Sequence, residues 1–254
     1  MTELVQTFIE AGVKVIRLNR PDKKNALVGE MYAAMADALA RGEADDEVGV
    51  FLFRGSDTDF SAGNDLPYFL SWDKIEGSDA EAFIHAIVST KKPVVVAVRG
   101  AAVGIGVTML PHCDLVYAAP DTRFQMPFVN LGLVPEAGST QTITELAGHR
   151  RAAEMMLMGE AFGVDVALAI GLINQVLPSE ELEAFALARA RALAAKPREA
   201  VLKTKALMRR GPEPLADRLV AEARVFDQCL KSPELAEAVA AFREKRAPDF
   251  SKCR

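Results

Sequence analysis

The chain has 254 residues, half of them hydrophobic and 26% charged, with a formal net charge of −5. That composition belongs to a globular protein large enough to bury a core without disulfide or metal staples. The negative balance argues against a nucleic-acid partner, whose phosphates call for a basic face. No apolar run reaches the length of a membrane span. The amino-terminal MTELVQTFIEAG lacks the basic start and long apolar stretch of a secretion signal, so a cytoplasmic location is expected. Cys113, Cys229 and Cys253 form no CxxC pair and are expected to be reduced and structural. His85, His112 and His149 are far apart, and His112 with Cys113 makes a poor nucleophile pair because neighbours on a regular element point apart.

Val5 to Glu10 and Val13 to Leu18 read as two strands around an Ala11-Gly12 hairpin turn. From Leu27 to Arg41 the apolar residues Met31, Ala34, Met35, Ala38 and Leu39 make a helical stripe. Val48 to Phe53 is a strand-length apolar run, followed by a polar loop with Phe60 to Leu66 embedded in it. Ala80 to Ser89 reads as a helix, and Val94 to Val98 as a strand buried on both faces. Gly100 to Gly106 is a glycine-rich loop that runs into a short buried helix over Val107 to Pro111. Strands are expected at Leu115 to Ala118, Thr122 to Phe124 and Leu172 to Val176, with helices at Gly138 to Ala147, Arg150 to Met158 and Val164 to Ala169. Beyond Pro178 the pattern is helical only: Glu180 to Ala195, Pro197 to Met208, Leu215 to Leu230 and Pro233 to Lys245. The expected organisation is an α/β core over residues 1–195 and a helical oligomerisation region over 196–254. In the latter, the stripe Leu215, Leu219, Ala223 and Phe226 calls for a partner.

Two glycine-containing loops carry the candidate chemistry: Phe60-Ser61-Ala62-Gly63-Asn64-Asp65-Leu66 and Gly100-Ala101-Ala102-Val103-Gly104-Ile105-Gly106. Glycine lets backbone approach a ligand closely, and a helix start leaves N–H groups without partners. Two such N–H groups from two loops can hold a developing oxyanion. Ordinary tight turns explain the same glycines. A dinucleotide fingerprint does not, since Met109 stands where the third glycine belongs.

These loops, with Leu18-Asn19-Arg20-Pro21, Asn25-Ala26-Leu27, Lys92-Pro93-Val94, Cys113-Asp114-Leu115 and Asn130-Leu131-Gly132-Leu133-Val134-Pro135, resemble the crotonase superfamily, the enoyl-CoA hydratase/isomerase family, along almost the whole chain. The resemblance implies a spiral of ββα units whose C-terminal helices build a homotrimer or a dimer of trimers. It also implies an acyl-CoA thioester substrate, with coenzyme A as part of that substrate and no other cofactor or metal. The family's oxyanion-hole N–H groups fall on Asn64 and Ile105. The implied substrate pocket takes in Ala26, Ala62, Asp65, Leu66, Gly104, Thr108, Phe128 and Leu131.

The two glutamates of the hydratase branch are replaced by Thr108 and Phe128, neither of which can act as the base for water or the acid for carbon. Glu136, in Leu133-Val134-Pro135-Glu136-Ala137-Gly138, resembles the glutamate of the peroxisomal-type Δ3,Δ2-enoyl-CoA isomerase branch. One carboxylate suffices to move a proton from C2 of a 3-enoyl thioester to C4. The bland alternative for Glu136 is a first-turn glutamate on the following helix. An apolar setting of Phe128, Leu131 and Ile105 should raise its pKa, while the nearby helix N-terminus pulls the other way. Asp65 is expected to order the first loop and Asp114 to brace a turn, while Arg20, Lys23, Lys24, Lys245 and Arg246 are candidates for the CoA phosphates. Phe69, Leu70 and Trp72 are candidates for the acyl channel. Hydratase, hydrolase or lyase chemistry on the same thioester, and a non-catalytic acyl-CoA-binding role, remain as alternatives.

Overall fold

The computed structural model describes residues 3–253. Its strands are β1 (Val5–Glu10), β2 (Val13–Leu18), β3 (Val50–Arg54), β4 (Val94–Val98), β5 (Ala101–Val103), β6 (Leu115–Ala118), β7 (Arg123–Gln125) and β8 (Gln175–Val176). Its α-helices are α1 (Gly29–Ala44), α2 (Leu66–Phe69), α3 (Asp79–Ser89), α4 (Ile105–Thr108), α5 (Ser139–Ala147), α6 (His149–Ala153), α7 (Val164–Ala169), α8 (Leu182–Ala194), α9 (Arg198–Met208), α10 (Leu215–Cys229) and α11 (Pro233–Glu244).

β1 and β2 pair antiparallel, and Ala11 and Gly12 between them take φ of 48° and 78°, the consecutive left-handed pair that a tight hairpin demands. The remaining strands add in parallel to give the order β1-β2-β3-β4-β6-β8, while β5 and β7 make a separate parallel pair. β4 explains why the middle of the sheet reads as unbroken Val-Val-Val-Ala-Val. Val94, Val96 and Val98 enter the core beneath α1 and α3, with Tyr32, Phe53 and Phe83. Val95 and Ala97 face the opposite side, where Leu182, Ala186, Ala190 and Ala194 of α8 cover them. A strand covered on both faces has no polar side to alternate with.

Several boundaries differ from the sequence reading. The helix expected from Leu27 begins at Gly29, because Leu27 bonds to the first loop and Val28 is extended. The glycine loop Gly100–Gly106 contains β5, held by β7 and by a bridge between Ser61 and Ala102. The short helix expected over Val107–Pro111 is α4 followed by a 3₁₀ turn over Leu110–His112, with Pro111 in its first turn. The helix expected over Arg150–Met158 is α6 running into a π turn at Glu154–Met158. The strand expected from Leu172 shrinks to β8, since the Leu172 N–H returns to Ala167 O and closes the end of α7.

Beyond α8, α9 docks on the core through a buried ion pair, Lys205 Nζ to Asp114 Oδ2 at 2.6 Å. Glu234 of α11 accepts the Glu199 and Ala200 N–H groups at the start of α9. On α10, Leu215, Leu219 and Phe226 are 73%, 57% and 65% exposed, so the expected stripe has no cover within a single chain. Among the described residues no helix is long and apolar enough to cross a membrane.

Candidate active site

The two glycine loops run side by side, stitched by backbone hydrogen bonds. The Ser61 N–H donates to Ala101 O and the Val103 N–H to Ser61 O, while the Ala101 N–H donates to the Asp59 carboxylate at 2.9 Å. The first loop is clamped from below by Asn25. Its buried side-chain amide donates to Asp59 O and Phe60 O, and its own carbonyl accepts from Ser61 Oγ. The loops also touch at Gly63, where a Cβ would lie 2.9 Å from Val103 O; only a residue without a side chain fits there.

This stitching leaves two N–H groups over. In the first loop Gly63 N–H donates to Ser61 Oγ and Asp65 N–H to Leu27 O, but the Asn64 N–H between them has no acceptor among the described residues. In the second loop Gly104 N–H donates to Gln125 O, and the next N–H, that of Ile105, likewise has none among the described residues. Ile105 is the first residue of α4, where helix geometry supplies no intrahelical acceptor. Gly104 turns the chain into that helix with φ 55° and ψ −119°, a conformation that excludes side chains.

Asn64, Gly104 and Ile105 line one pocket of about 260 Å³, together with Ala62, Gly63, Leu66, Phe69, Val103, Pro127, Phe128, Leu131 and Leu133. Asn64 is the single polar side chain in that lining. Its Oδ1 accepts from the buried Tyr32 hydroxyl at 2.6 Å. Burial pushes the Tyr32 phenol well above its ordinary range, with Glu136 and Tyr68 adding to it, so the hydroxyl stays a donor.

Glu136 stands behind the lining, against α4. Its Oε1 accepts from Thr108 Oγ1 at 2.5 Å, and its Oε2 is shielded from solvent without a partner among the described residues. Burial pushes its carboxyl up to about 7, against the opposing pull of the Thr108 hydrogen bond. It precedes Gly138, the cap of α5, and its carboxylate turns to Thr108 rather than to the N–H groups of that helix. The first-turn alternative is therefore not what this side chain does.

The enoyl-CoA hydratase/isomerase family model matches residues 8–253. The chain belongs to the enoyl-CoA hydratase/isomerase family. Its fold is the crotonase fold, and it is an enzyme of that family acting on acyl-CoA thioesters. A solved structure from Magnetospirillum magneticum AMB-1, provisionally named enoyl-CoA hydratase/carnithine racemase, is 66% identical with a TM-score of 0.97, covering 99% of this chain and 100% of that one. Enoyl-CoA delta isomerase 2 of Rattus norvegicus is 36% identical over 211 residues, covering 79% of this chain and 53% of that protein. Crotonyl-CoA hydratase of Syntrophomonas wolfei is 31% identical over 247 residues, covering 95% of each.

Within this enoyl-CoA hydratase/isomerase chain the expected pocket residues divide. Ala62, Leu66, Gly104, Phe128 and Leu131 line the cavity, whereas Ala26, Asp65 and Thr108 do not. Thr108 is fully buried and spends its hydroxyl on Glu136. Asp65 caps α2 through the Tyr68 N–H and pairs with Arg20 at 2.8 Å; that hydrogen bond lowers its pKa. Ala26 gives its carbonyl to the same Arg20. Arg20 is thus a brace of the first loop through its Nη1, and Arg246 is paired with Glu237 and Glu244. Asp114 braces its turn as expected, accepting from the Val94 N–H. Of the channel candidates, Phe69 lines the cavity, Trp72 packs on Tyr68 and Phe69, and Leu70 is 83% exposed. Burial raises the Cys113 thiol far above its ordinary value, which makes it inert. Among the described residues no three His, Cys, Asp or Glu side chains converge as metal ligands.

The sequence reading did not pick out Tyr32. The available signal was slight: a tyrosine on the apolar side of a helix needs a partner for its hydroxyl.

Proposed function

We propose that the protein isomerises a 3-enoyl-CoA to the 2-trans-enoyl-CoA, with Glu136 as the shuttle. The carboxylate takes a proton from C2, and the electron pair conjugates into the thioester carbonyl to give a dienolate. The carboxylic acid then returns the proton at C4, which leaves the double bond between C2 and C3. The N–H groups of Asn64 and Ile105 would hold the dienolate oxygen, and one such donor is typically worth about 3–4 kcal/mol.

The observation that carries this reading is Glu136 itself. It is a buried carboxyl raised to about 7, with one oxygen unpartnered, tied through Thr108 to the helix that begins at the pocket. A base near neutrality combines adequate basicity with a large ionised fraction at working pH. Hydration is the alternative, favoured by the hydratase names of several relatives, but it asks for a second acid–base group. The segment from Asp57 to Glu76, which follows β3 and contains the first loop, does not offer one at the pocket. Asp57 pairs with Arg17, Asp59 holds the Ala101 N–H, Asp65 holds Arg20, and Asp73 and Glu76 are exposed.

The lining also bears on the acyl group. Nine apolar side chains and one amide suit an unsubstituted hydrocarbon rather than a charged or hydroxylated chain. The test is Glu136→Gln, a nearly isosteric change. It should lower kcat for a 3-enoyl-CoA by roughly 10²–10⁴ with little change in KM. Near-wild-type turnover would remove Glu136 from the reaction.

A further inference from the structure

We infer that His112 is a positioning residue that holds the Glu136 loop on the segment carrying the oxyanion donor. The inference rests on Glu136 as the proton shuttle. Its observations are separate from those of the pocket.

The backbone just after Glu136 is strained. Ala137 has φ 54° and Gly138 φ 68°. A left-handed alanine costs on the order of 1–3 kcal/mol and persists only where its surroundings hold it. The holding contacts are on either side. Ser139 donates both its N–H and its hydroxyl to Glu136 O, at 3.1 and 2.7 Å. The Ala137 carbonyl meets His112 Nε2 at 2.7 Å. A carbonyl can only accept, so Nε2 carries the proton and donates. Burial depresses the His112 pKa and Arg209 adds to this, while the Ala137 hydrogen bond opposes.

His112 does not stand alone on its segment. α4 continues through Met109 into the Leu110–His112 turn, both in right-handed conformation. Ile105, Thr108 and His112 follow one another at spacings of three and four, the repeat that places residues on one side of a helical segment. The first offers its free N–H to the pocket, the second fixes the Glu136 carboxyl, and the third fixes the Ala137 carbonyl, one residue beyond Glu136. One rigid piece of chain therefore sets the distance between oxyanion donor and base. Its far end is anchored too, because Arg209, just past the end of α9, donates to His112 O at 2.5 Å and to Thr90 O at 2.8 Å.

A misplacement of about 1 Å at a reacting group costs roughly a hundredfold in rate. The experiment measures kcat and KM on a 3-enoyl-CoA for His112→Leu, His112→Gln and His112→Asn, alone and with Glu136→Gln. Glutamine keeps an N–H near the Nε2 position; leucine has none, and asparagine is too short. The leucine and asparagine variants should lose about 10- to 100-fold in kcat with KM within about twofold, and glutamine should recover to within about threefold of wild type. In the Glu136→Gln background none of the three should cause a further loss, because the group being positioned is gone. If the leucine variant does not fold, the contrast between glutamine and asparagine decides. Equal kcat for those two, or an undiminished loss in the Glu136→Gln background, overturns the positioning role while leaving Glu136 in place. Wild-type turnover by Glu136→Gln alone overturns the shuttle, and the role of His112 with it.

Discussion

The raised Glu136 carboxyl has a thermodynamic consequence that does not depend on any substrate. Its folded pKa is about 7 against an ordinary value of 4.5, a difference of about 2.5 units. At about 1.4 kcal/mol per unit this is on the order of 3 kcal/mol. The sign follows from which state binds the proton more tightly. Below pH 4.5 both states are protonated and the burial is free of this penalty. Between 4.5 and 7 the unfolded chain gives up the proton while the folded chain keeps it, so stability falls as pH rises. Above 7 the full penalty is present. Glu136→Gln carries no such titration. Urea unfolding of both proteins should therefore give similar stabilities near pH 4.5 and a glutamine variant more stable by up to about 3 kcal/mol near pH 8.5. The same group should give kcat/KM for a 3-enoyl-CoA a rising limb with a midpoint near 7, since that ratio reports the free enzyme. A stability difference that is flat across this range would refute the assignment of a buried, raised carboxyl to Glu136.

The exposed stripe of Leu215, Leu219 and Phe226 predicts a trimer or a dimer of trimers; light scattering that finds a stable monomer at working concentration would contradict it. Gly104→Ala places a Cβ on a φ of 55° and should misdirect the Ile105 N–H. A loss in kcat of roughly 10²-fold with the fold intact by circular dichroism is expected, and unchanged turnover would show that the N–H is not used. Lys205→Met strands Asp114, whose side chain is largely buried, and should cost about 3 kcal/mol in denaturant unfolding; an unchanged midpoint would mean that α9 docks without the pair.

The legible parts of the fold were those that local chemistry dictates. Ala11-Gly12 between two alternating runs fixed a hairpin, and Val94 to Val98 announced a strand covered on both faces. β5 was hidden because a three-residue strand inside a glycine-rich loop has no pattern of its own; it exists through β7 and the Ser61 bridge. The same limit applies at the site. Asn64, Ile105 and Glu136 stood out through the motifs they occupy. Tyr32, Thr108 as the partner of Glu136, and His112 as the partner of Ala137 lie 32, 28 and 25 residues from what they hold. No spacing rule reaches across such loops. Arg20 shows the converse: a basic residue in a turn suggested phosphate, yet the fold closes Asp65 onto it, 45 residues away.

The most direct measurement offers the pure protein a 3-enoyl-CoA and the matching 2-enoyl-CoA in parallel and follows both for isomerised and hydrated product. The expected result is turnover of the 3-enoyl substrate at an ordinary enzymatic rate, on the order of 10 per second, with little or no hydration of the 2-enoyl substrate, because neither Thr108 nor Phe128 carries a carboxylate to act beside Glu136. Rapid hydration of the 2-enoyl substrate with no isomerisation of the 3-enoyl one would contradict it.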